Sequence, residues 1–105
     1  MAEYRYHAPE VLDVEGVQQV RAELIAIVAE RDCDLLVDCS ATRFIDSVGL
    51  TLLLECNTRL QAKGRNMLVT NLRQGPRRVF DIAGLTELMR YDRTVPMAGT
   101  GLDTG

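Results

Sequence analysis

The sequence predicts a single α/β domain, with a mainly parallel sheet of about four to five strands packed against about four helices. Short apolar runs alternate along the chain with longer segments whose apolar residues recur at helical spacing. Strands joined through helices in this way favour parallel pairing with right-handed crossovers. The chain has 105 residues, and 47% of them are hydrophobic, which is enough for one domain with one core.

The elements are predicted from local signals. Pro9 has no amide hydrogen to give to a sheet, so it interrupts a short strand at residues 4–7. Asp13 is a suitable N-cap for a first helix that runs to about residue 31. The later elements are a buried strand at 34–39, a loop at 40–45, a helix at 48–63 stopped by Gly64, a strand at 66–70, a helix with Pro76 in its first turn and Gly84 at its end, and a short helix, a final strand or both over 85–92.

The core is expected to be aliphatic, because the chain has no Trp and aromatic residues make up only 5% of it. Residues 1–92 are predicted to form the domain. Residues 93–105 are rich in Gly and Thr and have no periodicity, so a flexible tail is expected there. The predicted buried side chains are Leu36, Val37, Leu53, Leu54, Leu68, Val69 and Phe80.

The three cysteines are odd in number and lack the spacing of metal ligands, so neither a metal site nor a disulfide is expected. Cys33 and Cys39 stand at opposite ends of one predicted strand, about 20 Å apart at about 3.3 Å per residue. Cys39 and Cys56 are interpreted as small buried hydrophobic residues. Cys33, between two aspartates, leaves a redox role open.

Several classes of function are disfavoured by composition. The formal net charge is -3, and the short basic cluster Arg73, Arg77 and Arg78 is interpreted as a solvated face, so no nucleic-acid partner is expected. No apolar run reaches the about 18 residues of a membrane span, and the N-terminus has no signal-peptide core. The expected location is the cytoplasm. No glycine-rich phosphate loop is present, so no nucleotide cofactor is expected.

The predicted functional edge is the one where the parallel strands end, since sites in open α/β sheets form there. Loops at 9–13, 40–47 and 71–75 meet at that edge, and each leads into a helix. Asp46 and Ser47 stand together at the start of the second long helix. Either side chain is suited to cap that helix. Alternatively, the free amides and the dipole of the helix start favour a phosphate carried by Ser47.

Two segments carry a resemblance to a known family. Residues 35–50 (LLVDCSATRFIDSVGL) and residues 79–85 (VFDIAGL) together resemble the STAS domains, and within them the bacterial anti-sigma factor antagonists. The resemblance extends over about residues 11–91. The chain departs from the family at its N-terminal hairpin, which is shortened, and at the family's last helix, where the Gly/Thr-rich tail stands.

The resemblance implies which residues form the site. The regulated serine of the family falls on Ser47, and the second hydroxyl position of the motif holds Val48. The resemblance assigns partner binding to Asp13, Asp38, Asp46, Ser47, Val48 and Gly49.

The implied function is a binding switch without enzymatic activity. The unphosphorylated antagonist binds an anti-sigma factor that is also a serine kinase, which frees the sigma factor. The kinase then phosphorylates Ser47, the two proteins separate, and a phosphatase resets the switch. Phosphorylation adds about 1.5 to 2 negative charges at neutral pH, and an edge that already carries aspartates would then repel an acidic partner surface.

Two other readings stay open at this point. In a hydrolase, Ser47 would be a nucleophile, but Ile45 stands where the nucleophile elbow requires glycine, and His7 is the sole histidine available as a base. Alternatively, the chain is a STAS docking subunit of a lipid or anion transport assembly, which shares the same loop pattern. Gene neighbourhood separates this reading from the antagonist: kinase-type anti-sigma genes favour one and transporter genes the other.

Overall fold

The structure, a computed structural model, describes residues 3–90. Strands and helices alternate along these residues, as the sequence predicts for an α/β domain. The predicted tail at 93–105 lies outside the described residues. In chain order the elements are β1 (Glu3–His7), β2 (Val11–Leu12), α1 (Val14–Glu30), β3 (Asp34–Asp38), β4 (Phe44–Ile45), α2 (Ser47–Gln61), β5 (Met67–Thr70), α3 (Gln74–Ala83), a 3-10 helix (Thr86–Leu88) and β6 (Met89–Arg90).

The main sheet has the strand order β1-β3-β5-β6, and every pair in it is parallel. This confirms the mainly parallel sheet. Each successive strand along the chain is added at the same edge of this sheet. With right-handed crossovers, the three α-helices that connect the strands therefore lie on the same face of the sheet. A separate parallel pair joins β2 to β4. The three α-helices and one 3-10 helix of the described chain correspond to the about four helices that were predicted.

The core lies between the helices and one face of the sheet. Strand β3 is buried from Leu35 to Asp38, as expected for a strand inside a parallel sheet. The predictions of burial are confirmed for Leu36, Val37, Leu53, Val69 and Phe80, and Leu68 is partly buried.

The prediction that Leu54 is buried is wrong, because its side chain is 38% exposed. Successive residues of an α-helix are about 100° apart around the axis, so three leucines in a row cannot all face the same core. Leu52 and Leu53 take the inward positions, with 2% and 1% exposure, and Leu54 is turned toward solvent.

The ends of the helices follow the predicted signals. Asp13 is the N-cap of α1, and Gly84 ends α3 with a φ of 76°. Gly64 follows α2 with a φ of 73°, a left-handed conformation that favours glycine. Residues 40–45, predicted as a loop, contain β4. A strand of two residues is too short to give the alternation that identifies strands in sequence.

The three cysteines are free thiols. Burial raises the pKa of Cys39 to about 12 and that of Cys56 to about 11, so both thiols stay protonated at neutral pH. Cys33 is partly exposed. Across residues 3–90, every helix is too short or too polar to cross a membrane.

Candidate functional site

The short ladder between β2 and β4 sets the positions of two helix starts. Val11 pairs with Phe44 and Leu12 with Ile45, and the amide of Asp46 donates to the carbonyl oxygen of Leu12 at 3.2 Å. This register places the first turn of α1 beside the first turn of α2. Leu12 and Ile45 point into the core, whereas Phe44 points outward and is 51% exposed.

The two helices start with the same chemical pattern. Asp13 Oδ1 accepts a hydrogen bond from the amide of Gly16 at 2.9 Å. Asp46 Oδ1 accepts from the amides of Val48 and Gly49 at 2.9 and 3.2 Å. The sequence therefore contains a short repeat, aspartate followed three residues later by glycine, each time directly after a two-residue strand. This repeat was not predicted, although comparison of residues 11–16 with residues 44–49 reveals it.

The repeated glycines let the helix starts lie against strand backbone. A Cβ atom on Gly16 would clash with the carbonyl oxygen of Val11, and one on Gly49 would clash with the carbonyl oxygen of Leu12. Neither glycine has a positive φ, so close approach of the backbone, rather than conformation, requires glycine here. Gly49 is itself buried, and its contribution to the site is to hold α2 against β2.

Ser47 is the first residue of α2, and its side chain is exposed. Its carbonyl oxygen accepts a hydrogen bond from Thr51 Oγ1 at 2.8 Å. Within residues 3–90 its hydroxyl makes no hydrogen bond, and the side chain that caps the helix is that of Asp46. Of the two capping alternatives left open by the sequence, the structure therefore selects Asp46.

Asp38 lies at the end of β3 and is buried, with 6% exposure. Its Oδ2 accepts from Arg5 Nη1 at 2.7 Å, and its Oδ1 accepts from Asn71 Nδ2 at 3.1 Å and from the amide of Ser40 at 3.0 Å. Burial raises the pKa of this carboxyl, but the hydrogen bonds from Asn71, Ser40 and Arg5 outweigh it and bring the pKa down to about 2.

The family resemblance assigns partner contact to Asp38, and this assignment stays a prediction. A buried carboxylate that is already bonded to donors of its own chain has little surface to offer a partner. The hydrogen bonds of Asp38 hold the neighbouring loops in position, whereas Asp13 and Asp46 are partly exposed. Partner contact by these two aspartates and by Val48, which is also partly exposed, stays a prediction.

Side chains also tie the three loops of this edge to one another. Thr42 Oγ1 donates to the carbonyl oxygen of Pro9 at 2.7 Å, which joins the first loop to the second. Arg73 Nε donates to the carbonyl oxygen of Ser40 at 2.9 Å, which joins the second loop to the third. Asn71 has a φ of 61°, a conformation in which asparagine is enriched, and it turns the chain after β5. The edge that carries Ser47 is thus held in place by its neighbours.

The contact made by His7 is with Asp38. Its Nδ1 lies 3.5 Å from Asp38 Oδ2, and its side chain is 71% exposed. It is the only histidine in the chain, and Ser47 makes no hydrogen bond to it. The arrangement of a nucleophile bonded to a base, which a serine hydrolase uses, is not formed at Ser47 in the described chain.

Two comparisons with known proteins indicate the same family. The family profile described as STAS domain matches residues 4–98. The chain is 30% identical over 81 residues to a protein of Staphylococcus epidermidis named anti-sigma-B factor antagonist, covering 77% of this chain and 75% of that protein.

Solved structures show the same fold. The anti-sigma factor antagonist SpoIIAA in its unphosphorylated form matches with a TM-score of 0.76 and 22% identity, over 92% of this chain and 84% of that one. The phosphorylated form of SpoIIAA, a Bacillus cell fate determinant, matches with a TM-score of 0.68 and 22% identity, over 92% and 86%. A sulfate transporter family protein from Wolinella succinogenes matches with a TM-score of 0.67 and 14% identity, over 86% and 76%.

Because Asp46 caps α2 and the hydroxyl of Ser47 is unbonded, replacing each of these residues by alanine should affect stability differently. Asp46→Ala removes the cap of α2 and should lower the free energy of unfolding by about 1 kcal/mol. Ser47→Ala removes an exposed, unbonded hydroxyl and should change it by less than about 0.5 kcal/mol. Urea denaturation measures both. A larger loss for Ser47→Ala than for Asp46→Ala would show that serine is the cap.

The depressed pKa of Asp38 predicts a specific loss of stability in acid. A carboxyl whose pKa falls on folding, here from 3.8 to about 2, stabilises the fold above its unfolded-state pKa, and this stabilisation is lost as the pH falls toward 2. Asp38→Asn should remove about 2 kcal/mol of the difference in unfolding free energy between pH 5 and pH 2. Asn71→Ala, which removes one donor, should give an intermediate slope. An unchanged slope in Asp38→Asn would contradict this assignment.

Proposed function

The chain belongs to the STAS domain family, and on that premise we propose that it is an anti-sigma factor antagonist whose binding is switched by phosphorylation of Ser47. It acts as a binding protein and not as an enzyme. Its partner is an anti-sigma factor that is also a serine kinase. The observation that carries the proposal is the exposed hydroxyl of Ser47, which stands at a helix start already capped by Asp46.

The modification step follows from this geometry. Ser47 Oγ takes the γ-phosphoryl group of ATP, ADP leaves, and the proton of the hydroxyl passes to a base of the kinase. The phosphate would stand at the positive end of the dipole of α2, which favours an anion. The helix therefore tolerates the modification. A phosphatase would return Ser47 to its hydroxyl form.

The surface around Ser47 suits a protein partner. Phe44 and Val14 are 51% and 53% exposed and lie beside the starts of α2 and α1, so they offer apolar contact area near Ser47. Asp13 and Asp46 supply carboxylates at the same helix starts. In this arrangement the apolar side chains provide contact area, and the charges near Ser47 set the response to phosphorylation.

Phosphorylation would act on binding through charge and size. A phosphate adds about 1.5 to 2 negative charges to an edge that already carries Asp13 and Asp46. The group also occupies space at the centre of the surface, where a partner would pack against Phe44 and Val48. The name of the Staphylococcus epidermidis relative supports an antagonist role.

The second candidate is a STAS docking subunit of a transport assembly for lipids or anions. The likeness to the Wolinella succinogenes protein supports it at the level of fold. In that role Ser47 would only be an exposed helix residue, and no kinase would act on it. Intact-mass analysis after incubation with the anti-sigma kinase and ATP separates the two functions, since only the antagonist gains one phosphate.

Substitutions at Ser47 should separate charge from folding. Ser47→Asp supplies negative charge at the switch position, so we expect its affinity for the anti-sigma factor to fall at least about tenfold, which is about 1.4 kcal/mol. Ser47→Ala should keep the native affinity and should not be phosphorylated. Calorimetric titration gives the affinities, and a melting curve of each variant serves as the folding control. A folded Ser47→Asp protein that binds as tightly as the native one would refute the charge switch.

Phe44 should be an anchor of the same interface. Phe44→Ala removes a half-exposed aromatic ring beside the switch residue, and we expect the dissociation constant for the anti-sigma factor to rise at least about tenfold. The matched control is Ile82→Ala. Ile82 lies on α3 and is 80% exposed, so its removal also takes a large apolar side chain from the surface. Equal effects of the two substitutions on affinity would show that Phe44 has no special place in the interface.

A further inference from the structure

A small cavity joins the switch residue to the interface between the first two helices. Its volume is about 250 Å³. Ser47 lies at the N-terminal end of this cavity, where α2 begins, and Glu55 lies two turns further along the same helix. Arg21 of α1 is the one cationic residue in the lining. The lining residues are Val17, Arg21, Ser47, Val48, Thr51, Leu52 and Glu55.

Glu55 holds two arginines at once. Arg21 Nη2 donates to Oε1 and Oε2 of Glu55 at 2.7 and 2.6 Å, which bridges α1 to α2. Arg59, one turn further along α2, donates to Oε2 from Nη2 at 2.9 Å and from Nε at 3.3 Å. Hydrogen bonds from Arg59 and Arg21 lower the pKa of Glu55. Since the carboxylate has two partners, it stays paired if one of them leaves.

The geometry favours Arg21 as the partner that leaves. The β2–β4 register puts the starts of α1 and α2 side by side, so the two helices run in the same direction from that edge. Side chains on an α-helix lean toward its N-terminus. For Arg21, which is bonded to Glu55 at 2.6 and 2.7 Å, that direction leads along the cavity toward the end that holds Ser47, whereas Arg59 lies one turn beyond Glu55 on the far side.

We propose that phosphorylation of Ser47 draws Arg21 away from Glu55 and onto the phosphate, while Arg59 keeps Glu55 paired. The guanidinium fork of arginine matches phosphate oxygens, and a phosphate carries more charge than a carboxylate. The side chain of Arg21 is 50% exposed, so solvent weakens its attraction to Glu55, and a phosphate competes for it with a larger charge. The phosphate is then held inside its own chain, and the bridge between α1 and α2 changes with the phosphorylation state.

This inference rests on the proposed function, since it assumes that Ser47 is the modified residue. The test therefore uses protein in which phosphoserine is placed at position 47 during translation, so that no kinase is required. The Nε–Hε resonances of the arginine side chains are compared by NMR between this protein and the unmodified one. The resonances are assigned with Arg21→Gln, Arg59→Gln and Arg43→Gln.

The phosphoserine protein should show a shifted Arg21 resonance with slower exchange with water, and an Arg59 resonance close to its original position. An unmoved Arg21 resonance, or a larger shift at Arg43 or Arg59, would overturn the proposal. If Arg21 shifts but the phosphoserine protein still binds the anti-sigma factor at native affinity, the exchange stands and the proposed switching function fails.

Thermal melting gives a second readout with a matched control. Arg21→Gln and Arg59→Gln each take one arginine from Glu55, so their effects on the unmodified protein should be similar. With phosphoserine at position 47, Arg21→Gln should lose about 4 °C or more of additional Tm, because the phosphate loses its partner. Arg59→Gln should lose less additional Tm than this, because the phosphate keeps Arg21 and only Glu55, whose hydrogen bonds are exposed, loses its remaining partner. An equal response of the two variants to phosphoserine would contradict a role for Arg21.

Discussion

The functional edge depends on the hydrogen bonds that the buried carboxylate of Asp38 accepts. It accepts hydrogen bonds from Arg5 of β1, from Ser40 in the loop that leads to β4, and from Asn71 after β5. A buried charge is strongly unfavourable unless its hydrogen bonds are complete, so the three segments are held in one relative position. The loop from Ser40 to Ile45 is fixed in this way at its start, and α2 begins directly after it.

With the loop fixed in this way, the hydroxyl of Ser47 has no structural task. Asp46 caps α2, and Gly49 brings the helix against the backbone of β2, so the start of the helix is stable without the hydroxyl of Ser47. A residue with no structural task can be modified with little effect on folding. The start of α1 has the same arrangement: Asp13 caps the helix, and Gly16 allows close contact with the backbone of β2. There the position after the aspartate holds Val14, which has no hydroxyl to phosphorylate.

The features that the sequence predicted correctly depend on neighbours in the chain. The cap at Asp13, the glycine ends of α2 and α3 and the buried run of β3 are of this kind. The features that were missed depend on contacts between distant segments. The β2–β4 pair is two residues long, the burial of Asp38 depends on Arg5 and Asn71, and the exposure of Leu54 depends on which side of α2 meets the sheet. The motif predicts Ser47 as the switch residue, and this stays a prediction, whereas its unbonded hydroxyl is seen only in the structure.

The central proposal is that phosphorylation of Ser47, a residue with no structural task, changes the surface and leaves the fold intact. Amide hydrogen exchange across the first turns of α2 tests this claim most directly, with protein carrying either serine or phosphoserine at position 47. The account predicts that residues 50–53 keep their protection in the phosphorylated protein, because the cap from Asp46 remains and the phosphate meets the positive end of the helix. Exchange of these amides at the rate of unstructured chain after phosphorylation would contradict it, since the modification would then act by unfolding the helix.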